Sequence, residues 1–112
     1  MTEGDGLAVG RPSSFASGIS EQTVSGIYTI EDPELFKLLA LLADSEEVFV
    51  EPSATAGLLG PLKIQETDYA KINQLHMPAA THIVWSTGGA LVPKEEMDGF
   101  YQRGKTYLGG SK

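Results

Sequence analysis

Three short stretches of the 112-residue sequence combine residue types able to hold a small ligand. Thr87-Gly88-Gly89 places a hydroxyl, which both donates and accepts, ahead of two glycines that let a backbone come close to a ligand. Glu51-Pro52-Ser53 offers a carboxylate that could orient a cofactor or accept a proton. Asp5-Gly6-Leu7-Ala8-Val9 is the third stretch, and alone it carries little information. Each also has a plainer reading. Thr87 to Gly89 would serve as a tight turn with a capping hydroxyl, and Glu51 as a surface acid favoured by a helix dipole. Pattern alone favours these plainer roles. Thr87-Gly88-Gly89 is not a phosphate-binding P-loop, because the terminal Lys-Ser/Thr is missing.

Other chemistries are excluded or disfavoured. His76 and His82 are the only histidines, and no ligand cluster flanks them, so no metal site is expected. The absence of cysteine removes disulfides, thiolate metal sites and cysteine nucleophiles. A net charge of −7 repels phosphate backbones and anionic headgroups, so neither nucleic acid nor a membrane surface is an expected partner. Tyr28, Tyr69, Tyr101 and Tyr107 form no stacking stripe, and Trp85 suits a core or interface. No signal peptide opens the sequence, and the longest apolar run, near Leu38 to Ala43, is too short to span a bilayer. A cytoplasmic protein is expected.

The elements that would position these stretches read as alternating strands and helices. Residues 1–25 are rich in Gly and Ser and read as loop. Ile27 to Ile30, Val48 to Val50 and His82 to Trp85 are β-branched and aromatic, which predicts three short strands. Asp32-Pro33 predicts a helix start, with Leu35, Leu38, Leu39 and Leu42 forming an apolar face widened by Phe36 and Leu41. This helix is expected to end near Asp44 or Ser45 and to pack on a sheet. Ser53 would cap a helix of small residues that Pro61 interrupts or kinks. A short helix is expected from Thr67-Asp68 to Ile72, a loop from Gln74 to Ala80, and a last helix from Pro93 to Gly109-Gly110. The order predicts an α/β layer with short parallel strands alternating with helices, and the turns after the second and third strands are where such sheets bind ligands.

Taken together, the stretches carry a resemblance. Thr2 to Arg11 resembles the "T-x-A-D-G-L-A-V-G-R" stretch of bacterial D-serine dehydratases (D-serine ammonia-lyases), with Gly4 in place of the usual Ala. Glu51 to Gly57 is similar to their "E-P-S-A-x-A-G". Thr81 to Gly89, followed by Val92-Pro93, is similar to their "T-H-x-V-W-x-T-G-G-x-x-V-P". Order and spacing agree, and the similarity covers nearly the whole chain.

The resemblance implies the C-terminal part of the large domain of a fold-type II (tryptophan-synthase-like) enzyme that uses pyridoxal 5'-phosphate to eliminate water from D-serine, giving pyruvate and ammonia. Thr87 matches the family position whose hydroxyl faces the pyridine nitrogen, a neutral partner that leaves this nitrogen largely unprotonated and the electron sink weaker. Glu51 matches an acid close to the cofactor, and Asp5, Gly6 and Leu7 match a stretch whose backbone borders the pocket. Gly88, next to Thr87, is also an expected cofactor-binding residue. The family's Schiff-base lysine motif and glycine-rich phosphate loop are absent from these residues, so the implied chain is a single piece of a lyase domain: loop-rich over 1–25, α/β over 26–108 and frayed over 109–112. It would be inactive alone, and its partner would be the N-terminal part of the same enzyme. Lacking that part, it would expose apolar surface that a homodimer could cover. Two alternatives stay open: a stand-alone binding or regulatory module sharing only this segment, and a piece that associates in trans with a separately encoded half.

Overall fold

A helix whose apolar positions recur every three or four residues must bury that stripe, and here the stripe of one central helix organises the rest. The computed structural model describes residues 2–109. Its five α-helices are α1 (Ser14–Thr23), α2 (Asp32–Glu46), α3 (Gly60–Glu66), α4 (Tyr69–Ile72) and α5 (Lys94–Gly109). Three 3-10 segments, Asp5–Leu7, Pro52–Leu59 and Met77–Ala79, stand between them.

Helix α2 begins with Pro33 in its first turn and carries Asp32 and Glu34 there, where the dipole favours acids. Leu35, Phe36, Leu39, Ala40 and Ala43 are buried. Leu38 and Leu42 are half-buried and Leu41 is exposed, so the buried face is centred nearer Phe36 than the leucine spacing suggests. The helix ends at Glu46, and Glu47 takes a left-handed conformation with φ 55°. On one side α2 receives α5. On the other it receives the Pro52–Leu59 segment, where Thr55 is fully buried and shares its hydroxyl proton between the carbonyls of Pro52 (2.7 Å) and Leu35 (3.1 Å).

The α2–α5 crossing is close because α5 presents a glycine. A Cβ on Gly104 would collide with the Phe36 carbonyl oxygen and lie 2.7 Å from the Ala40 Cβ. Around this point Phe36 meets the Phe100 ring at 5.8 Å and the Tyr107 ring at 6.2 Å between centroids, both tilted. The Arg103 guanidinium sits 4.1 Å from the Phe36 centroid, within cation–π range. At the rim, Tyr101 Oη donates to Asp44 Oδ1 (2.6 Å) and Lys105 Nζ donates to Asp44 Oδ2 (2.8 Å).

The expected α/β layer is not present. Among the described residues there is no strand, and the fold is helical. The three β-prone segments are extended but have no ladder partner. Ile27, Ile83 and Trp85 are 92%, 90% and 85% exposed. The correction has a physical cause: β-propensity measures fit to a pleated, half-buried surface and makes no strand without a neighbour. Helix α2 accordingly packs on helices and not on a sheet, and Trp85 is not in the core.

Other boundaries also moved. Residues 14–23, read as loop, form α1, where Ser13 accepts from the Ala16 amide at 3.4 Å. Pro61 does not interrupt a helix. It stands in the first turn of α3, where its missing N–H costs nothing, and marks the change from 3-10 to α geometry. A 3-10 turn, Met77–Ala79, lies within the expected 74–80 loop. Residues 110–112, expected to fray, lie outside the described residues.

Two glycines of α5 make a matched test. A Cβ on Gly99 meets nothing within 4 Å, so Gly99→Ala should raise stability by about 0.5–1 kcal/mol. Gly104→Ala should lower it by about 1–3 kcal/mol, since the added atom overfills the crossing. Urea denaturation of the two variants measures both signs.

The rim cluster predicts a pH dependence. Hydrogen bonds from Lys105 and then Tyr101 hold Asp44 below its ordinary value of 3.8. The bond to Asp44 raises Lys105 above 10.5 and Tyr101 above 10.0. A lowered acid contributes stability above its ordinary value and loses it as the pH falls through the folded value. The two raised groups contribute below their ordinary values and lose it as the pH rises. The Tm deficit of Asp44→Asn should therefore be present at neutral pH and close towards both extremes, read by thermal melts across the pH range.

Candidate functional site

Residues Glu51 to Gly57 leave the core as a 3-10 helix because Pro52 at its start and small residues along it permit a tight winding against α2. Pro52, Ala54 and Thr55 are buried, which fixes the backbone and leaves Glu51 and Ser53 half-exposed at the surface of this wedge. Two other segments come to it.

From one side comes Gly88-Gly89. The Glu51 amide donates to the Gly88 carbonyl at 3.0 Å. A Cβ on Gly88 would lie 3.0 Å from Glu51 Oε1, so the carboxylate packs directly on the bare glycine. Gly89 has φ +147° and no room for a side chain, with Val50 Cα 2.5 Å from where a Cβ would be. Close backbone approach therefore requires the glycine at 89, while the one at 88 makes room for the Glu51 carboxylate. Thr87 precedes them on the surface, exposed, and its hydroxyl makes no hydrogen bond among the described residues.

From the other side comes the Asp5–Leu7 turn. The Gly6 amide donates to Ser53 Oγ at 3.1 Å. Leu7 N to Gly4 O and Ala8 N to Asp5 O, both 3.0 Å, close the turn internally. Asp5, Gly6 and Leu7 are exposed.

The structure thus gathers the segments of all six predicted site residues around Glu51 and Ser53. Glu51 and Gly88 touch directly, Gly6 is joined to them through Ser53, and Asp5, Leu7 and Thr87 flank the contact. Ser53 had been expected as a helix cap. The segment starts at Pro52 instead, with no side-chain cap, which leaves the Ser53 hydroxyl to hold Gly6. Tyr28 was missed altogether. Its phenol donates to the Ala56 carbonyl, and burial raises it, opposed by a backbone hydrogen bond at Gly60. Nothing in an isolated Ile-Tyr-Thr-Ile stretch signals that contact.

A cleft of about 460 Å³ lies beside the Asp5–Leu7 turn and includes Leu7, Tyr28, Asp32 and Ala56. A second, about 900 Å³, lies between residues 25–28 and α3–α4. Glu51, Thr87 and Gly88 line neither one. The convergence is therefore an open wall carrying a carboxylate, a hydroxyl and glycine backbone. Lys37, Lys94 and Lys105 are paired elsewhere, with Glu34, Asp98 and Asp44. Among the described residues no group of three or more His, Cys, Asp or Glu side chains could hold a metal ion.

No family model matches the chain. Curated proteins do. The chain is 55% identical over 109 residues to a protein named probable D-serine dehydratase from Halalkalibacterium halodurans, covering 94% of this chain and 25% of that protein. It is 49% identical over 108 residues to a protein of the same name from Bacillus anthracis, covering 94% of this chain and 24% of that protein. For another of that name from Bacillus cereus the figures are 49% over 107 residues, 93% and 24%. The chain spans about a quarter of the length of the curated relatives it matches. By name these relatives are dehydratases, enzymes of the lyase class. The chain is a segment of the D-serine dehydratase family.

The wall makes one local prediction. Gly89→Ala should separate residues 88–89 from Val50 and break the Glu51–Gly88 bond, seen as faster hydrogen exchange of the Glu51 amide and unchanged exchange within α2.

Proposed function

We propose that this chain forms one wall of the cofactor site in a pyridoxal-phosphate-dependent D-serine ammonia-lyase of amino-acid catabolism. The observation that carries the reading is the convergence of three segments, distant in sequence, on Glu51 and Ser53. The identity to proteins named D-serine dehydratase supports the substrate.

The residues present fit such a group on one side only. Gly88 packs on the Glu51 carboxylate and Gly89 on the Val50 backbone, which holds that carboxylate beside the backbone of residues 87–89. Thr87 would meet the pyridine nitrogen with a neutral hydroxyl. Glu51 would stand beside the ring, and the backbone of Asp5, Gly6 and Leu7 would border it. When bound, the cofactor supplies the electron sink for elimination. The lysine that attaches it and the loop that holds its phosphate would come from the remaining part of the enzyme, so the chain alone would not turn over D-serine.

The surface supports an incomplete body. The accessible area is 8530 Å², against about 6,000 Å² for a compact monomer of this size. The radius of gyration is 15.6 Å, against about 13 Å. The excess area, about 2,500 Å² by the same scaling, is what a permanent interface buries. Phe15, Ile27, Ile83, Trp85 and Leu91 contribute exposed apolar area to it. We read it as the face covered by the N-terminal part of the lyase, in a cytoplasmic enzyme. No helix among the described residues is long and apolar enough to cross a membrane.

The test joins this chain to the remaining three quarters of the Halalkalibacterium halodurans relative, co-produced as separate polypeptides, and measures pyruvate formed from D-serine. The expected result is activity from the pair and from neither part alone. Thr87→Ala should lower kcat about tenfold through loss of one hydrogen bond to the ring. A pair that associates yet neither binds pyridoxal 5'-phosphate nor makes pyruvate would sink the reading. The isolated chain should self-associate in sedimentation velocity and should return to one copy per complex when its partner is added.

A further inference from the structure

The Asp5–Leu7 turn has a positioning problem. It buries none of its own side chains and hydrogen-bonds to the wedge through a single amide, Gly6 to Ser53. Residues 8–13 beyond it are exposed. Its place must be set by Thr2 to Gly4.

Those three residues are held at three points. Thr2 Oγ1 donates to Asp32 Oδ2 at 2.6 Å and accepts from the Gly4 amide at 2.9 Å. Gly4 is buried against Leu35, whose Cδ1 lies 2.8 Å from where a Cβ would stand. Between them, Glu3 accepts a hydrogen bond from Arg103 Nη1. The first two anchors belong to α2. The third comes from α5, and Arg103 is itself fixed, because its guanidinium lies on the face of the fully buried Phe36 ring.

We propose that Arg103 is a positioning residue for the Asp5–Leu7 turn, holding it against Ser53 through Glu3 from the far end of the chain. The proposal rests on the reading of that turn as a border of the cofactor site. Arg103 would touch neither cofactor nor substrate. Its geometry differs from that of an ordinary surface pair. A guanidinium stacked on an immobile ring has lost its freedom already, so the carboxylate it binds is placed as well as attracted. Both side chains are more than a third exposed, so the link is modest in strength and local in effect. It should govern where the turn sits without governing whether the chain folds.

The test is amide hydrogen exchange on the whole chain by NMR at low salt, for wild type, Glu3→Gln, Arg103→Ala and the double variant. Glu3→Gln leaves α5 untouched, so it answers the question even if Arg103→Ala loosens the helix packing. Each single variant should speed exchange of the Gly6 amide by about three- to fivefold, with Leu39 in α2 unchanged. The double variant should be no faster than either single one, because both remove the same link. Arg103→Lys, which keeps the charge, should recover part of the protection. Unchanged Gly6 exchange in Glu3→Gln, or additive effects in the double variant, would overturn the proposal. In the co-produced lyase, Glu3→Gln should weaken pyridoxal 5'-phosphate binding by a similar factor. If exchange responds and binding does not, Arg103 places the turn but the turn does not serve the cofactor, which overturns the functional half. If no lyase assembles at all, the proposed function fails while the exchange result still decides the tether.

Discussion

The close approach of α5 to α2 at Gly104 is the contact on which the remaining structure depends. A bare glycine over the Phe36 carbonyl and the Ala40 methyl lets the two backbones meet, and only then do Phe100, Tyr107 and Arg103 reach the Phe36 ring. The neighbouring Leu35 supplies the carbonyl that receives Thr55, and the methyl that packs against Gly4. Thus both arms of the candidate site, the Pro52 wedge and the N-terminal strap, are referenced to the same two turns of one helix.

This arrangement explains how an open surface can be ordered. Glu51, Gly88 and Gly6 sit at the rim of the core, yet each is tied to a neighbour that borders a buried residue. Glu51 is followed by buried Pro52, Gly88 is followed by Gly89 pressed on Val50, and Gly6 is bonded to Ser53, which lies between buried Pro52 and Ala54. Placement of side chains by rigid neighbours is what a binding wall needs, and it is cheaper in conformational entropy than recruiting mobile loops at the moment of binding.

What was legible in the sequence follows from the range of each signal. The start of α2 at Asp32-Pro33 and the span of α5 after Pro93 are local, and both were read within a residue or two. Helix α1 was hidden because Ser and Gly are read as loop formers, though Ser13 in that position is also a cap. The strands at 27–30, 48–50 and 82–85 were misread because apolar, β-branched composition reports only what a segment would suit and says nothing of a neighbour. The candidate site residues were named through the resemblance of whole motifs. Ser53 as the Gly6 acceptor, Tyr28 on Ala56 and Arg103 on Glu3 were not, since each links residues 28 to 100 positions apart and no local pattern encodes the pairing.

The segment orders part of this arrangement by itself. Its buried core consists of the α2 face, Val50, the wedge and Met97, and that is enough to hold Glu51, Gly88 and Gly6 together. It is not enough to cover Ile27, Ile83, Trp85 or Leu91, which in a free-standing domain of this length would be drawn inward. These residues flank the wedge in sequence: Ile27 precedes the tethering Tyr28, and Ile83 and Trp85 bracket Val84, which approaches Gly57. A body that covered them would lie next to the Glu51 wall and would be placed to supply its opposite side. Under the proposed function, the exposed apolar residues and the Glu51 wall would belong to one surface that the rest of the enzyme covers.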